Sequence, residues 1–212
     1  MNDILKQIGQ IGIVPVIAIS DVEKAVPLAK ALIAGGIPCA EVTLRTGEGE
    51  ECIRRIAESV PEILLGAGTV LRIEQVDRAM KAGAKFIVSP GFNPKVAQYC
   101  VDNNILIIPG CSTPSDMESA IELGLDTVKF FPAEQAGGLP YIKACAAPYT
   151  GLKFVPTGGI NAGNIGKYSA YNKIAACGGS WMVSKELLEA GNFEEITRLC
   201  EEAARIVRDA RR

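Results

Sequence analysis

The chain has 212 residues, 48% of them apolar and 22% charged, with a formal net charge of −2. That balance suits a soluble globular protein, and it carries neither the basic bias of a nucleic-acid binder nor an apolar stretch long enough to span a bilayer. Histidine is absent altogether, which excludes Ser-His-Asp and Cys-His catalysis, H-E-x-x-H zinc sites and aldol chemistry on a histidine-held metal, and leaves proton transfer to Glu, Asp, Lys, Tyr or water.

The first ten residues read as an extra helix ahead of the first strand; MNDILKQIGQIG has neither the basic n-region nor the long apolar run of a secretory signal. Eight apolar, β-like runs follow: IVPVIAI (13–19), CAEVTL (39–44), ILLGAGT (63–69), FIVSPG (86–91), ILIIPG (105–110), TVKFFP (127–132), KFVPTGG (153–159) and IAACGGS (174–180). They start 19–26 residues apart, and helical patterns such as EECIRRIAESV, IEQVDRAMKAG and PSDMESAIELG lie between them. The runs are nearly continuous rather than alternating, as in a parallel sheet covered on both faces. A long helix over 193–209 closes the chain. Eight βα units without a break in composition predict an α/β fold, a single (β/α)8 TIM barrel with an extra N-terminal helix, occupying 1–212 as one domain. The competing architecture is a doubly wound open sheet, but Gly66-Ala67-Gly68 lacks the third glycine of a dinucleotide fingerprint and no Walker pattern occurs. The seven cysteines are scattered, with no C-x-x-C pair. They read as free, mostly buried thiols in a reducing cytosol, which predicts a cytoplasmic protein.

Barrel active sites lie at the C-terminal ends of the strands, so depth along a strand decides what a polar residue can do. The glycine closing each preceding helix serves as a depth marker. Lys85 and Lys153 lie two residues beyond Gly83 and Gly151 and belong at the bottom of the barrel, near solvent. Lys129 lies five residues beyond Gly124, and Glu41 five beyond Gly36. At about 3.3 Å per residue both sit roughly 10 Å deeper, on strands six and two, whose side chains share interior layers. An amine and a carboxylate then face one cavity, either as a buried ion pair without function or as catalytic groups. Arg45 and Thr69 follow near the tops of strands two and three. Together they form a seat for a small carboxylate, although Arg45 alone also reads as a surface loop residue and Thr69 as a helix N-cap. Strands seven and eight end in glycine pairs, in PTGGI (156–160) and CGGSW (177–181). Those are the strands whose loops bind phosphate in many barrels.

Taken in order from residue 14 to residue 181, the stretches VPVI, EVTLRT, GAGTVL, SPG, KFFPAE, PTGGI and GGSW resemble the 2-keto-3-deoxy-6-phosphogluconate (KDPG) / 4-hydroxy-2-oxoglutarate (KHG) aldolases. The resemblance implies a class I, Schiff-base aldolase on a (β/α)8 barrel, assembled as a homotrimer. Carried over by motif, Lys129 would be the Schiff-base lysine and Glu41 the general acid/base. Arg45 and Thr69 would hold the pyruvate carboxylate, and Pro90 and Phe131 would wall the pyruvate pocket. Thr157, Gly158, Gly159, Gly179 and Ser180 would line the substrate tail and phosphate site. Because an imine supplies the electrophile, the resemblance implies neither metal nor cofactor. The expected partner is a phosphorylated 2-keto-3-deoxy sugar acid, with 4-hydroxy-2-oxoglutarate, a galactonate-type epimer and a non-catalytic phosphosugar-binding barrel as the other readings.

Overall fold

The computed structural model describes residues 2–212. Helix α1 (Asp3–Ile11) is started by Asn2, whose side chain accepts the Ile4 N–H at 2.9 Å, and is stopped by Gly12 at φ 78°. The eight expected strands are β1 (Ile13–Ile17), β2 (Cys39–Thr43), β3 (Leu64–Gly68), β4 (Phe86–Val88), β5 (Ile107–Ile108), β6 (Thr127–Phe130), β7 (Lys153–Pro156) and β8 (Cys177–Gly179). Between them run α2 (Ala25–Ala34), α3 (Gly49–Ser59), α4 (Ile73–Ala82), α5 (Pro94–Asp102), α6 (Pro114–Glu122), α7 (Gly138–Ala146) and the short α8 (Ile165–Ser169). After β8 come a 3-10 turn over Trp181–Val183, the six-residue α9 (Lys185–Ala190) and α10 (Phe193–Ala210).

Every strand pairing is parallel. Six strands form one ladder in the order β5-β4-β3-β2-β1-β8, and β6 pairs with β7. Isolated bridges join the two pieces, Gly110 with Lys129 on one side and Phe154 with Ile174 and Thr157 with Gly178 on the other. The first junction has two good hydrogen bonds, Lys129 N–H to Pro109 O at 2.9 Å and Cys111 N–H to Lys129 O at 2.8 Å. The sheet therefore curls into a barrel. The ladders are shorter than the apolar runs because the runs end in residues that cannot continue them. Pro90 and Pro109 offer no N–H, and Gly158 and Gly159 turn left-handed, at φ 101° and 79°.

Alternation along the strands divides the core in two. Val14, Cys39, Leu64, Phe86, Ile108 and Val155 point into the barrel and pack together with Ile8 of α1, which plugs the lower end. Their neighbours Ile13, Ala40, Leu65, Ile87, Ile107 and Phe154 point outward and pack against the helices. Two inward positions of β3 are glycines for lack of room. A Cβ on Gly66 would lie 2.3 Å from the Phe86 ring, and one on Gly68 would lie 2.2 Å from a Glu41 carboxylate oxygen. The Gly66-Ala67-Gly68 sequence is thus a space requirement of the barrel interior rather than part of a nucleotide turn.

Candidate active site

Glu41 lies two residues beyond Cys39 on β2 and so shares its inward face. It stands in register with Val16 of β1 and Gly66 of β3. Lys129 stands opposite Val155 of β7 and bridges Gly110. Across the barrel the Lys129 Nζ lies 3.3 Å from Glu41 Oε1, with the two side chains only 5% and 4% exposed. The ammonium also lies 5.5 Å from the centroid of the Phe131 ring. Lys85 is exposed and Lys153 half-buried at the strand starts, where Lys153 borders a hollow against α1. The depth counted from the helix-closing glycines thus separates the two bottom lysines from the buried one.

Arg45 follows β2 into solvent, and its Nε–H donates to the Thr69 hydroxyl at 3.2 Å. Thr69 does not cap a helix; the residue before α4 is Arg72. Instead Thr69 sits at φ 59°, a left-handed conformation that costs a β-branched residue about 1–3 kcal/mol and tends to gather at functional sites.

A cleft of about 530 Å³ opens beside the strand ends; neither Glu41 nor Lys129 lines it, but Val16, in register with Glu41, and Phe131, next to the Lys129 ammonium, do. Arg45, Phe131 and Thr157 contribute to its wall, as do Gly158, Gly159, Gly179 and Ser180. Seven of the eleven residues singled out in the sequence therefore meet around one space. Of the other four, Glu41 and Lys129 are buried, Thr69 is linked to the wall through Arg45, and Pro90 packs against Gly110, beside the bridge to Lys129. The two glycine pairs serve different needs. Gly158 and Gly159 supply left-handed backbone, whereas Gly178 and Gly179 are needed for close approach. A Cβ on Gly178 would lie 2.2 Å from the Thr157 hydroxyl, and one on Gly179 would lie 2.1 Å from the Trp181 ring.

The loop after β6 buttresses the first glycine pair. Ala133 N–H donates to Thr157 O at 2.8 Å and Glu134 N–H to Gly158 O at 3.1 Å. The buried Tyr168 of α8 donates its hydroxyl to the Glu134 carboxylate, and burial followed by that bond pushes the phenol well above its usual range. The cleft wall also includes Val16, Ala18, Trp181, Lys185 and Glu186, which sequence reasoning did not select. Val16 was accessible as an inward position of β1. Nothing in the run Ser184-Lys185-Glu186 announces that it faces the cleft, because six helical residues are too few for a periodic pattern. All seven cysteines are free and buried, and among the described residues no group of Cys, Asp and Glu is arranged to hold a metal ion.

Comparison with known proteins points the same way. The family model for KDPG and KHG aldolase matches residues 4–199. A 2-dehydro-3-deoxy-phosphogluconate aldolase of Treponema pallidum is 47% identical over 207 residues, covering 98% of this chain and 99% of that protein. The KDPG aldolase of Legionella pneumophila, solved with pyruvate captured at low pH as a covalent carbinolamine intermediate, superposes with a TM-score of 0.89 at 38% identity, covering 92% of this chain and 97% of that one. The 2-keto-3-deoxy-6-phosphogluconate aldolase of Zymomonas mobilis ZM4, solved with 3-phosphoglycerate, gives a TM-score of 0.88 at 39% identity, covering 94% of each chain.

Proposed function

The chain belongs to the KDPG and KHG aldolase family, a family of class I carbon–carbon lyases, and we propose that Lys129 is its Schiff-base nucleophile and Glu41 its acid/base. The enzyme cleaves a phosphorylated keto-deoxy sugar acid to pyruvate. By similarity to the relatives, the substrate we propose is 2-keto-3-deoxy-6-phosphogluconate, with glyceraldehyde 3-phosphate as the second product. The observation carrying this reading is the buried ion pair, Nζ to Oε1 at 3.3 Å, whose neighbours Val16 and Phe131 help wall a cleft rimmed by glycine loops. A buried pair is a poor source of stability, so its presence in the barrel interior is best explained by chemistry.

The proposed reaction runs through these residues. The Lys129 amine, having given a proton to Glu41, attacks the C2 ketone to form a carbinolamine. Glu41 returns that proton to the carbinolamine hydroxyl, which leaves as water, and the resulting iminium draws electrons from the C3–C4 bond. Glu41, directly or through a water, takes the proton of the C4 hydroxyl. The C3–C4 bond breaks, the aldehyde leaves, and the pyruvate enamine remains on Lys129. Protonation at C3 and hydrolysis of the iminium release pyruvate and regenerate the amine. Arg45 and Thr69 hold the carboxylate of the pyruvyl half, with Pro90 and Phe131 against its apolar side. Thr157, Gly158, Gly159, Gly179 and Ser180 receive the phosphorylated tail through backbone and hydroxyl donors. Every electron moved comes from substrate or lysine, so the cycle calls for no metal or cofactor.

Since the matched family covers both substrates, cleavage of 4-hydroxy-2-oxoglutarate to pyruvate and glyoxylate is a second reading on the same residues. A homotrimer and a cytoplasmic location complete the proposal; the seven free, buried thiols suit a reducing compartment, and sedimentation equilibrium tests the trimer. Release of pyruvate from the phosphorylated substrate, followed by a coupled dehydrogenase, tests the reaction. Lys129→Arg keeps the charge opposite Glu41 but removes the nucleophile and should abolish turnover, whereas EDTA should leave the native rate unchanged. Turnover surviving in the arginine variant would sink the assignment.

A further inference from the structure

Among the described residues the wall of the cleft carries two cations, Arg45 and Lys185. Arg45 is hydrogen-bonded to Thr69, at the end assigned above to the carboxylate. Lys185 stands with the other end. The chain leaves Gly179 and Ser180, makes the turn Trp181–Val183, and begins α9 at Lys185 with Ser184 as its cap. The carboxylate nearest its ammonium is Glu189, at 3.6 Å, with the two side chains 78% and 63% exposed. Such a pair is weak and readily exchanged for another anion. Lys185 and Glu189 also border the neighbouring hollow, where Lys24 is held by Asp21 and by the Glu189 carbonyl.

The residue after Lys185 makes its charge consequential. Glu186 also faces the cleft, and its own backbone N–H and the Ser184 hydroxyl hold its carboxyl below the usual range, so it is ionised at neutral pH. Without Lys185, an incoming phosphate would meet that carboxylate with no cation to offset it. The glycine N–H groups donate to a phosphate, a hydroxyl or a carbonyl alike. A full cation, in contrast, favours a dianionic tail over a neutral one.

We infer that Lys185 is a specificity-determining residue of this aldolase, the group that selects a phosphorylated substrate tail over its unphosphorylated form. The inference rests on the aldolase reading of the cleft and adds the source of its tail preference. The test is the ratio of kcat/KM for 2-keto-3-deoxy-6-phosphogluconate to that for unphosphorylated 2-keto-3-deoxygluconate, measured on the native protein, Lys185→Ala and Lys185→Arg. In Lys185→Ala the ratio should fall about tenfold, in line with the loss of one charge-assisted hydrogen bond, mostly through KM. Lys185→Arg should recover most of it. Added salt should lower the native ratio more steeply than that of Lys185→Ala. A ratio unmoved in Lys185→Ala, or one lost but not recovered by arginine, would overturn the inference. The two levels separate cleanly. Failure of pyruvate and borohydride to label Lys129 in the native protein would remove the aldolase reading itself, whereas normal labelling with an unmoved ratio removes only the role of Lys185.

Discussion

Lys129 and Glu41 meet because two strands four apart in the barrel order direct equivalent positions inward, and because β3 gives up side chains to make room. Two changes probe that arrangement. Glu41→Gln keeps the shape and removes the base; it should still form the imine with pyruvate, with kcat reduced about 10²–10⁴-fold. Near-native turnover in that variant would make the carboxylate structural. Gly68→Ala places a methyl group 2.2 Å from where a Glu41 oxygen now lies, so the carboxylate must move. Its kcat should fall while the melting temperature records an overpacking cost of about 1–3 kcal/mol. The ion pair was legible in the sequence, because counting from a helix-closing glycine measures depth without knowledge of the fold. The role of Gly68 was not legible, since what excludes a side chain there is a residue 27 positions earlier in the chain, brought close only by strand register. The left-handed Thr69 was equally hidden; in sequence it reads as an ordinary N-cap.

At the level of elements, the loops after β7 and β8 look alike as glycine pairs and act differently. Gly158→Ala forces a Cβ into a left-handed residue at φ 101°, and should destabilise the fold by about 1 kcal/mol or more in denaturant titration. A substitution at Gly179 tests packing on Trp181 before it tests any ligand. Ser180 is exposed on the cleft wall and is the better probe of anion binding. Ser180→Asp should raise KM for the phosphorylated substrate severalfold while circular dichroism stays native; an equal rise for the unphosphorylated substrate would argue against a phosphate seat there. The eight strands and their order followed from the apolar runs, and the terminal helices from their periodicity. The strand ends did not, because prolines and left-handed glycines are apolar or small in sequence yet break the ladder in space. Nor could α8 and α9 be read, being shorter than two full helical turns.

Across the whole molecule, burial is recorded in the thiols. Burial raises Cys52 from 9.0 to about 11, and Cys100, Cys111, Cys177 and Cys200 to about 12. The unfolded chain releases these protons near pH 9, but the folded chain holds them until about pH 11–12. Folding stability from the neutral thiols is therefore intact below pH 9 and is lost as pH rises through the window up to about 12. Chemical denaturation at pH 8 and pH 10.5 should show the decline, and a thiol reagent at pH 8 should label the native protein far more slowly than the unfolded one. Equal stability at the two pH values would contradict the burial. The closed barrel followed from the eight βα units, but that it closes on either side of the β6–β7 pair through isolated bridges was beyond the sequence, because register between strands leaves no local trace. That closure brings Lys129 over Glu41, and the most direct test of the two is pyruvate with borohydride followed by peptide mapping. Lys129 should carry the reduced pyruvate adduct, with loss of activity, while Lys85 and Lys153 remain unmodified. Labelling at either of those lysines, or at none, would contradict the assignment of Lys129 as the Schiff-base residue.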